Sequence, residues 1–287
     1  MQFDLVRDVI DRAGTRPMPD IVVVGTGVRV PGQFTREGLE ALSRCHVVYC
    51  VLAPRRGTRF LRGLGLPIED LSHLYQPGRF RSEIYQQIVA VVLDRAARDR
   101  PLGYVTEGNP ILSDRTTHGI VEGGPARGLI VRVYPGVSSI DTILVDLRHE
   151  IGSTGLQIYE ASWFVARGIE PRTDVPCLLM QPGVFGTAYT VVGHQLMPGA
   201  LGGLQEYLGR FYPPEHELLL VRSPSWWYED ERVHRVLLND LGGVGERETE
   251  GTSLFIPRLR EPAVADQAFV TRMLDRAHFA ELYRPLT

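Results

Sequence analysis

The stretch Ile21–Gly32, IVVVGTGVRVPG, constrains this 287-residue chain more than any other. Ile21 to Val24 are β-branched and apolar and follow one another without polar alternation. A strand with no polar side is covered on both faces, as a parallel strand inside an α/β sheet is. Gly25 and Gly27 then open a turn that closes at Pro31–Gly32, and open α/β sheets bind ligands at the carboxyl ends of their strands. Taken alone, the turn has three readings: a dinucleotide turn, the loop of another cofactor, or a tight bend.

The residues that follow test the first reading. Phe34–Arg44 is an amphipathic helix with Leu39 and Leu42 inward, and His46–Leu52 is a second buried strand, which makes a β-α-β unit. A dinucleotide fingerprint needs glycine at residue 30 and an acid after the second strand. The chain has Val30 and the segment Ala53–Arg56 there, where Arg55–Arg56 would at most hold the phosphate of NADP. Two more strands, Leu102–Thr106 and Leu129–Tyr134, end in Glu107–Gly108–Asn109–Pro110 and in Pro135–Gly136–Val137–Ser138–Ser139. Ser138 or Ser139 is a natural helix N-cap. Three such turns on one sheet edge point to a ligand crevice.

The predicted fold class is α/β, with two domains and a cofactor crevice between them. The expected divisions are an N-terminal helix over 1–19, with Phe3, Val6, Val9 and Ile10 on one face, an α/β domain over 20–150, a mixed α/β domain over 151–260 and a C-terminal helix over 261–287. In the first domain Ser82–Arg98 is a long helix, with Ile84, Ile88, Val91 and Val92 inward, and another helix starts at Asp114. In the second, Leu156–Tyr159, Cys177–Gln181, Glu217–Arg222 and Thr252–Pro257 are strands, separated by helical or polar stretches such as Gly203–Phe211 and Trp227–Leu238. Ala263–Leu282 is expected to be one final helix.

Composition excludes several classes. The 31 basic residues are all arginine, so neither a Schiff-base lysine nor a phosphate-loop lysine is available. A net charge of −3 argues against nucleic acid as a partner. The three cysteines lack CxxC spacing and the eight histidines form no HxH or HxxxH pair, so no metal site is expected. No apolar run approaches membrane-spanning length and the first residues do not read as a signal peptide, so no membrane partner is expected and the cytoplasm is the expected compartment.

The chemistry-bearing segment is Tyr75–Tyr85, YQPGRFRSEIY, where Arg81 and Tyr85 share a helix face at i, i+4. Such a pair is either a Tyr–Arg stack at a dimer interface or, since a guanidinium beside a phenol favours the phenolate, a base and its activator. Trp226–Trp227–Tyr228 is an aromatic cluster suited to core or interface packing or to gripping a peptide. His73, beside Ser72, is more often a structural residue than a donor.

GTGVRVPG at the start, EGNP at 107–110, YPGVSS at 134–139 and GTSLFIP at 251–257 stand in the order and spacing of the tetrapyrrole methylase superfamily, the class III S-adenosylmethionine-dependent methyltransferases. The chain resembles that superfamily over residues 20–257. Tyr75–x5–Arg81–x3–Tyr85, YEAS at 159–162 and MQPGVFG at 180–186 make it most similar to the borosin-type enzymes, which N-methylate backbone amides of ribosomal peptides. The resemblance implies catalytic roles for Tyr75, Arg81 and Tyr85, with Tyr85 as the base and Arg81 as its activator. It implies S-adenosylmethionine contacts for Gly25, Gly27, Glu107, Asn109, Pro110, Ile111, Ser138, Ser139, Gln181 and Thr252. It implies a homodimer and a precursor peptide as substrate, here a separate one, since thirty residues follow Pro257. Two departures bear on substrate and product: Ser72 stands where the family has a further tyrosine, and Glu107–Gly108–Asn109–Pro110 where it has Tyr-Gly-His-Pro. A methylase of a tetrapyrrole or other small molecule, or a non-catalytic relative, are the competing expectations.

Overall fold

The computed structural model describes residues 18–52, 56–226 and 228–284. The expected helix near the amino terminus, Arg55 and Trp227 lie outside the described residues.

Five strands form an entirely parallel sheet in the order β3 (Ile68–Asp70), β2 (Val47–Val51), β4 (Leu102–Thr106), β1 (Ile21–Gly25), β5 (Val131–Tyr134). The apolar run at Ile21–Val24 has the physical origin expected of it. Ile21 and Val23 pack with Ile84, Ile88 and Val92 of α3 (Arg81–Ala96) and Ile120 of α4 (Arg115–Ala126). Val22 and Val24 pack on the opposite face with Ala41 and Leu42 of α1 (Arg36–Ser43) and Leu61 of α2 (Arg56–Gly63). Each of these four β1 side chains is fully buried, worth about 1.5–3 kcal/mol apiece in apolar transfer. α5 (Ser139–Asp146) completes this half.

The second sheet has the order β6 (Gln157–Glu160), β7 (Cys177–Met180), β10 (Ser253–Ile256), β8 (Glu217–Arg222), β9 (Arg232–Leu237). β6 and β7 are parallel and the other pairs antiparallel. Phe164 of α6 (Ala161–Ala166) and Leu204 and Leu208 of α7 (Gly202–Leu208) cover one face. The helix α8 (Glu246–Thr249) leads into β10.

Three elements differ from the sequence reading. β3 was hidden in a polar segment, because three residues are too few to show alternation, and it exists through its pairing with Val48–Cys50. Trp227–Leu238, expected to be polar or helical, contains the edge strand β9. Only Val236 of β9 is buried, so its sequence lacks a hydrophobic period, and its pairing with β8 and the Arg235–Glu217 ion pair decide its form. The single final helix is two, α9 (Gln267–Met273) and α10 (Arg276–Leu282). Asp266 and Asp275 each cap the helix that follows, accepting from Phe269 N and Ala277 N, and a side chain used as an N-cap ends helical continuity there.

Two sets of contacts tie the halves together. Arg29, in the turn after β1, donates to Asp146 at 3.3 Å, and Ser223, after β8, donates to the same carboxylate at 2.6 Å. On the other side, residues 76–81 lie against residues 187–190 and form an isolated antiparallel bridge between Phe80 and Tyr189. Among the described residues no helix is long and apolar enough to cross a membrane.

Candidate functional site

The turns after β1, β4 and β5 converge on one junction. Gly27 N donates to Gly108 O at 3.2 Å and Gly108 N returns a bond to Gly27 O at 3.1 Å. A Cβ on Gly25 would lie 2.3 Å from Gly108 O and 2.7 Å from both Gly136 N and Pro110 Cδ. On Gly136 it would lie 2.3 Å from Gly108 O and 2.6 Å from Gly27 N. Glycine is therefore required here for loop to approach loop. Gly25, Gly27 and Pro110, expected to let backbone approach a ligand, take part in this junction: Gly27 bonds Gly108, and Pro110 Cδ and Gly136 N lie beside Gly25.

In front of that junction, between the carboxyl edge of the parallel sheet and the edge of the mixed sheet where β7 and β8 end and β10 begins, is a cavity of about 920 Å³. Of the predicted cofactor residues, Glu107, Asn109, Ser139, Gln181 and Thr252 line it, and so does Arg81. Ile111 is half exposed on the surface and does not line it. Ser138 is absent from the lining because its hydroxyl closes a capping box. It donates to Asp141 Oδ2 at 2.6 Å and accepts from Asp141 N at 3.2 Å, which leaves the adjacent Ser139 at the cavity. Asn109 accepts from Ile111 N at 3.1 Å, which shapes the turn and leaves the amide NH₂ for other partners. Thr252 Oγ1 donates to Thr249 O at 2.9 Å and keeps its lone pairs. Trp226 lines the same cavity, stacked on Tyr228 with ring centres 6.0 Å apart.

A second cavity, of about 510 Å³, holds Tyr75 and Tyr85, their rings 6.3 Å apart and inclined by 55°. Ser72, Asp114 and Arg115 also line it. The two cavities share four lining residues, Glu107, Leu112, Ser113 and Gln181. Ser113 at φ 58° and Gln181 at φ 60° are left-handed non-glycine residues, a conformation that costs about 1–2 kcal/mol and clusters at functional sites. His73, by contrast, sits outside both cavities with its Nδ1 on Asp70 O at 3.0 Å.

Through its charge Arg81 pulls the Tyr85 and Tyr75 phenols towards lower pKa, while its own hydrogen bonds reach the second half. Its backbone N donates to Ala188 O at 2.9 Å and its guanidinium donates to Thr187 O, so it is anchored on the second half. The pull of Arg81 on Tyr85 has the expected sign but is outweighed. Burial raises the Tyr85 phenol above its ordinary value, and the opposing pull of Arg81 and Arg115 is too weak to reverse this. Burial also raises Tyr75, reinforced by Tyr85 and Asp114. Both phenols are protonated hydrogen-bond donors near neutral pH.

The sequence reading missed Leu112, Ser113, Asp114 and Arg115, although the signal was present. Asp114 N-caps α4, accepting from Thr116 N at 2.9 Å and Thr117 N at 3.3 Å, and the residues between a parallel strand and the next cap are where such sheets meet ligands.

The sequence model described as Tetrapyrrole (Corrin/Porphyrin) Methylases matches residues 20–242. The methyltransferase/ribosomally synthesized cyclic peptide dendrothelin A precursor of Dendrothele bispora is 30% identical over 225 residues, 77% of this chain and 53% of that one. The corresponding gymnopeptides precursor of Gymnopus fusipes is 25% identical over 252 residues, 85% of this chain and 59% of that one. The chain thus spans little more than half the length of these curated relatives. Among solved structures, uroporphyrin-III C-methyltransferase of Thermus thermophilus, complexed with S-adenosylhomocysteine, shares the fold at TM-score 0.54 and 19% identity, over 83% of this chain and 96% of that one. With its parallel sheet, its mixed sheet and the crevice between them, the chain belongs to the tetrapyrrole methylase family.

Proposed function

We propose that this protein is a class III methyltransferase that uses S-adenosylmethionine to methylate a backbone amide of a ribosomally made precursor peptide. The observation that carries the reading is the adjacency of the two cavities: a large one suited to a nucleoside cofactor lies beside a smaller one bearing two tyrosines, with Glu107, Leu112, Ser113 and Gln181 lining both.

The residues fit the cofactor. A volume of about 920 Å³ lies in the range of small-molecule sites. The ligand is zwitterionic, with a carboxylate, an ammonium and a sulfonium, and the cavity offers both signs: Arg81 and Arg222, against Glu107, Glu229 and Glu250. Gly108 lines it, and a Cβ there would meet nothing within 4 Å, so that backbone faces open space. Asn109, Ser139, Gln181 and Thr252 would hold the nucleoside. When bound, S-adenosylmethionine supplies an electrophilic methyl on its sulfonium.

An amide nitrogen is a poor nucleophile because its lone pair is shared with the carbonyl. Methylation needs the N–H proton removed as the new C–N bond forms, with negative charge building on the carbonyl oxygen. Tyr75, a protonated donor in the smaller cavity, stabilises that oxygen by hydrogen bonding. Tyr85 takes the proton through its ionised fraction, which is small near neutral pH and grows as pH rises, and the Arg81 and Arg115 cations favour that fraction. Orientation in a closed site contributes up to about 7–11 kcal/mol in well-aligned reactions.

We further propose that the protein works as a homodimer. α9 and α10 expose Phe269, Met273, Leu274, Phe279 and Leu282, an apolar surface on which a second copy would pack. The similarity to curated proteins that carry a methyltransferase and a peptide precursor supports the choice of substrate.

The test is incubation with S-adenosylmethionine bearing a deuterated methyl and candidate precursor peptides, followed by tandem mass spectrometry. The label is expected on backbone nitrogen. Label on a side chain or carboxylate oxygen, or on a tetrapyrrole alone, would contradict the proposal.

A further inference from the structure

Thr190 is a buried threonine in an otherwise exposed loop of the second half, with only 6% of its surface accessible. Nearly all of its polar atoms are engaged with the catalytic segment of the first half. Its N donates to Arg79 O at 2.8 Å, and its O accepts from Gly78 N at 3.2 Å. Its Oγ1 accepts from Arg79 N at 3.2 Å and donates to Gln76 O. Two residues further along each strand of this pairing, Arg81 N reaches Ala188 O, and between them the Phe80 and Tyr189 rings meet at 5.6 Å.

The ends of this clasp wall the two cavities. Arg81 and Val191 line the larger one, and Tyr75 and Val192 the smaller. An arginine at the first position of a helix has a long, mobile side chain, and nothing within α3 itself fixes where its guanidinium goes. The pairing with residues 187–190 fixes it, and the hydroxyl of Thr190 ties that pairing to the 76–79 segment at two points, Gln76 O and Arg79 N.

We propose that Thr190 is a positioning residue: its hydroxyl, bridging Gln76 O and Arg79 N, closes the clasp that holds Arg81 at the wall of the larger cavity. The inference rests on the reading of the larger cavity as the S-adenosylmethionine site. It assigns a role in that site to a residue that touches neither cavity.

The test uses Thr190→Val, which keeps the shape and removes the hydroxyl, and Thr190→Ser, which keeps the hydroxyl. Amide hydrogen exchange and calorimetric titration with S-adenosylhomocysteine are measured on each, with the exchange of residues 21–25 and 102–106 as the check that the fold is intact. In Thr190→Val, exchange over residues 76–81 and 187–190 should rise with the core unchanged. Affinity for S-adenosylhomocysteine should fall about tenfold, the effect of one charge-assisted hydrogen bond, and Thr190→Ser should restore both. Thr190→Val that exchanges and binds like the wild type overturns the proposal, as does Thr190→Ser that is as impaired as Thr190→Val. Wild-type protein that does not bind S-adenosylhomocysteine overturns the cofactor reading instead, and the exchange measurement, which needs no ligand, still decides whether Thr190 closes the clasp.

Discussion

Ser113 and Gln181 come from opposite halves of the molecule, both in left-handed backbone, at φ 58° and 60°, and both line the two cavities. Strain of this kind at a shared wall trades stability for geometry. Replacing Gln181 with Gly removes the Cβ penalty, offset in part by glycine's greater entropy loss, so stability should rise by up to about 1 kcal/mol. S-adenosylhomocysteine affinity should fall several-fold at the same time. Denaturant unfolding and calorimetry check both; a variant that is destabilised shows that the left-handed backbone carries no cost.

Ser138 and Ser139 are neighbours with different work. Ser138→Ala removes the N-cap of α5 and should cost about 1 kcal/mol, with a smaller effect on cofactor affinity. Ser139→Ala should leave the melting temperature unchanged and weaken S-adenosylhomocysteine binding. Reversal of that pattern in paired thermal melts and titrations would reassign the cavity contact.

Gly25→Ala would bring a methyl within 2.3 Å of the Gly108 carbonyl and 2.7 Å of Gly136 N. Both neighbours are backbone, so the turns must move apart. A loss of about 1–3 kcal/mol is expected, as for overpacking, with cofactor affinity lost as Asn109 and Ser139 shift. Unchanged stability would show that the junction is looser than its hydrogen bonds imply.

The phenol of Tyr85 sits above its ordinary value of about 10 because burial outweighs Arg81. If its phenolate is the base, the methyl-transfer rate at saturating cofactor should climb as pH rises from neutrality towards and past 10. Arg81 favours the phenolate, so its removal pushes the pKa higher: Arg81→Gln should shift the rising limb to more alkaline pH as well as lower its height. The same sign holds for stability. A phenol whose folded value exceeds its unfolded value keeps its full contribution below the unfolded pKa and loses it as pH rises through the folded one, so alkaline unfolding should be delayed in Tyr85→Phe. A rate independent of pH across this window removes Tyr85 from the role of base.

Much of the fold was legible because each signal was local. Ile21–Val24 could only be a doubly covered strand, and three glycine turns marked one sheet edge. β9 was not legible, because its form depends on pairing with β8 rather than on its own pattern. The site was half legible. Glu107, Asn109, Ser139, Gln181 and Thr252 stand at the cavity, whereas Gly25, Gly27 and Pro110 also join the turns to one another, a role that sequence does not show until the loops are placed. Likewise i, i+4 spacing puts Arg81 and Tyr85 on one helix face, but the carbonyl of Thr187, 106 residues away in sequence, is what takes the guanidinium.

The most direct measurement is a crystal structure of the protein with S-adenosylhomocysteine. The ligand is expected in the cavity of about 920 Å³, against Asn109, Ser139, Gln181 and Thr252, beside the wall shared with the cavity of Tyr75 and Tyr85. Ligand bound elsewhere, or bound with the shared wall closed between it and the two tyrosines, would contradict that expectation.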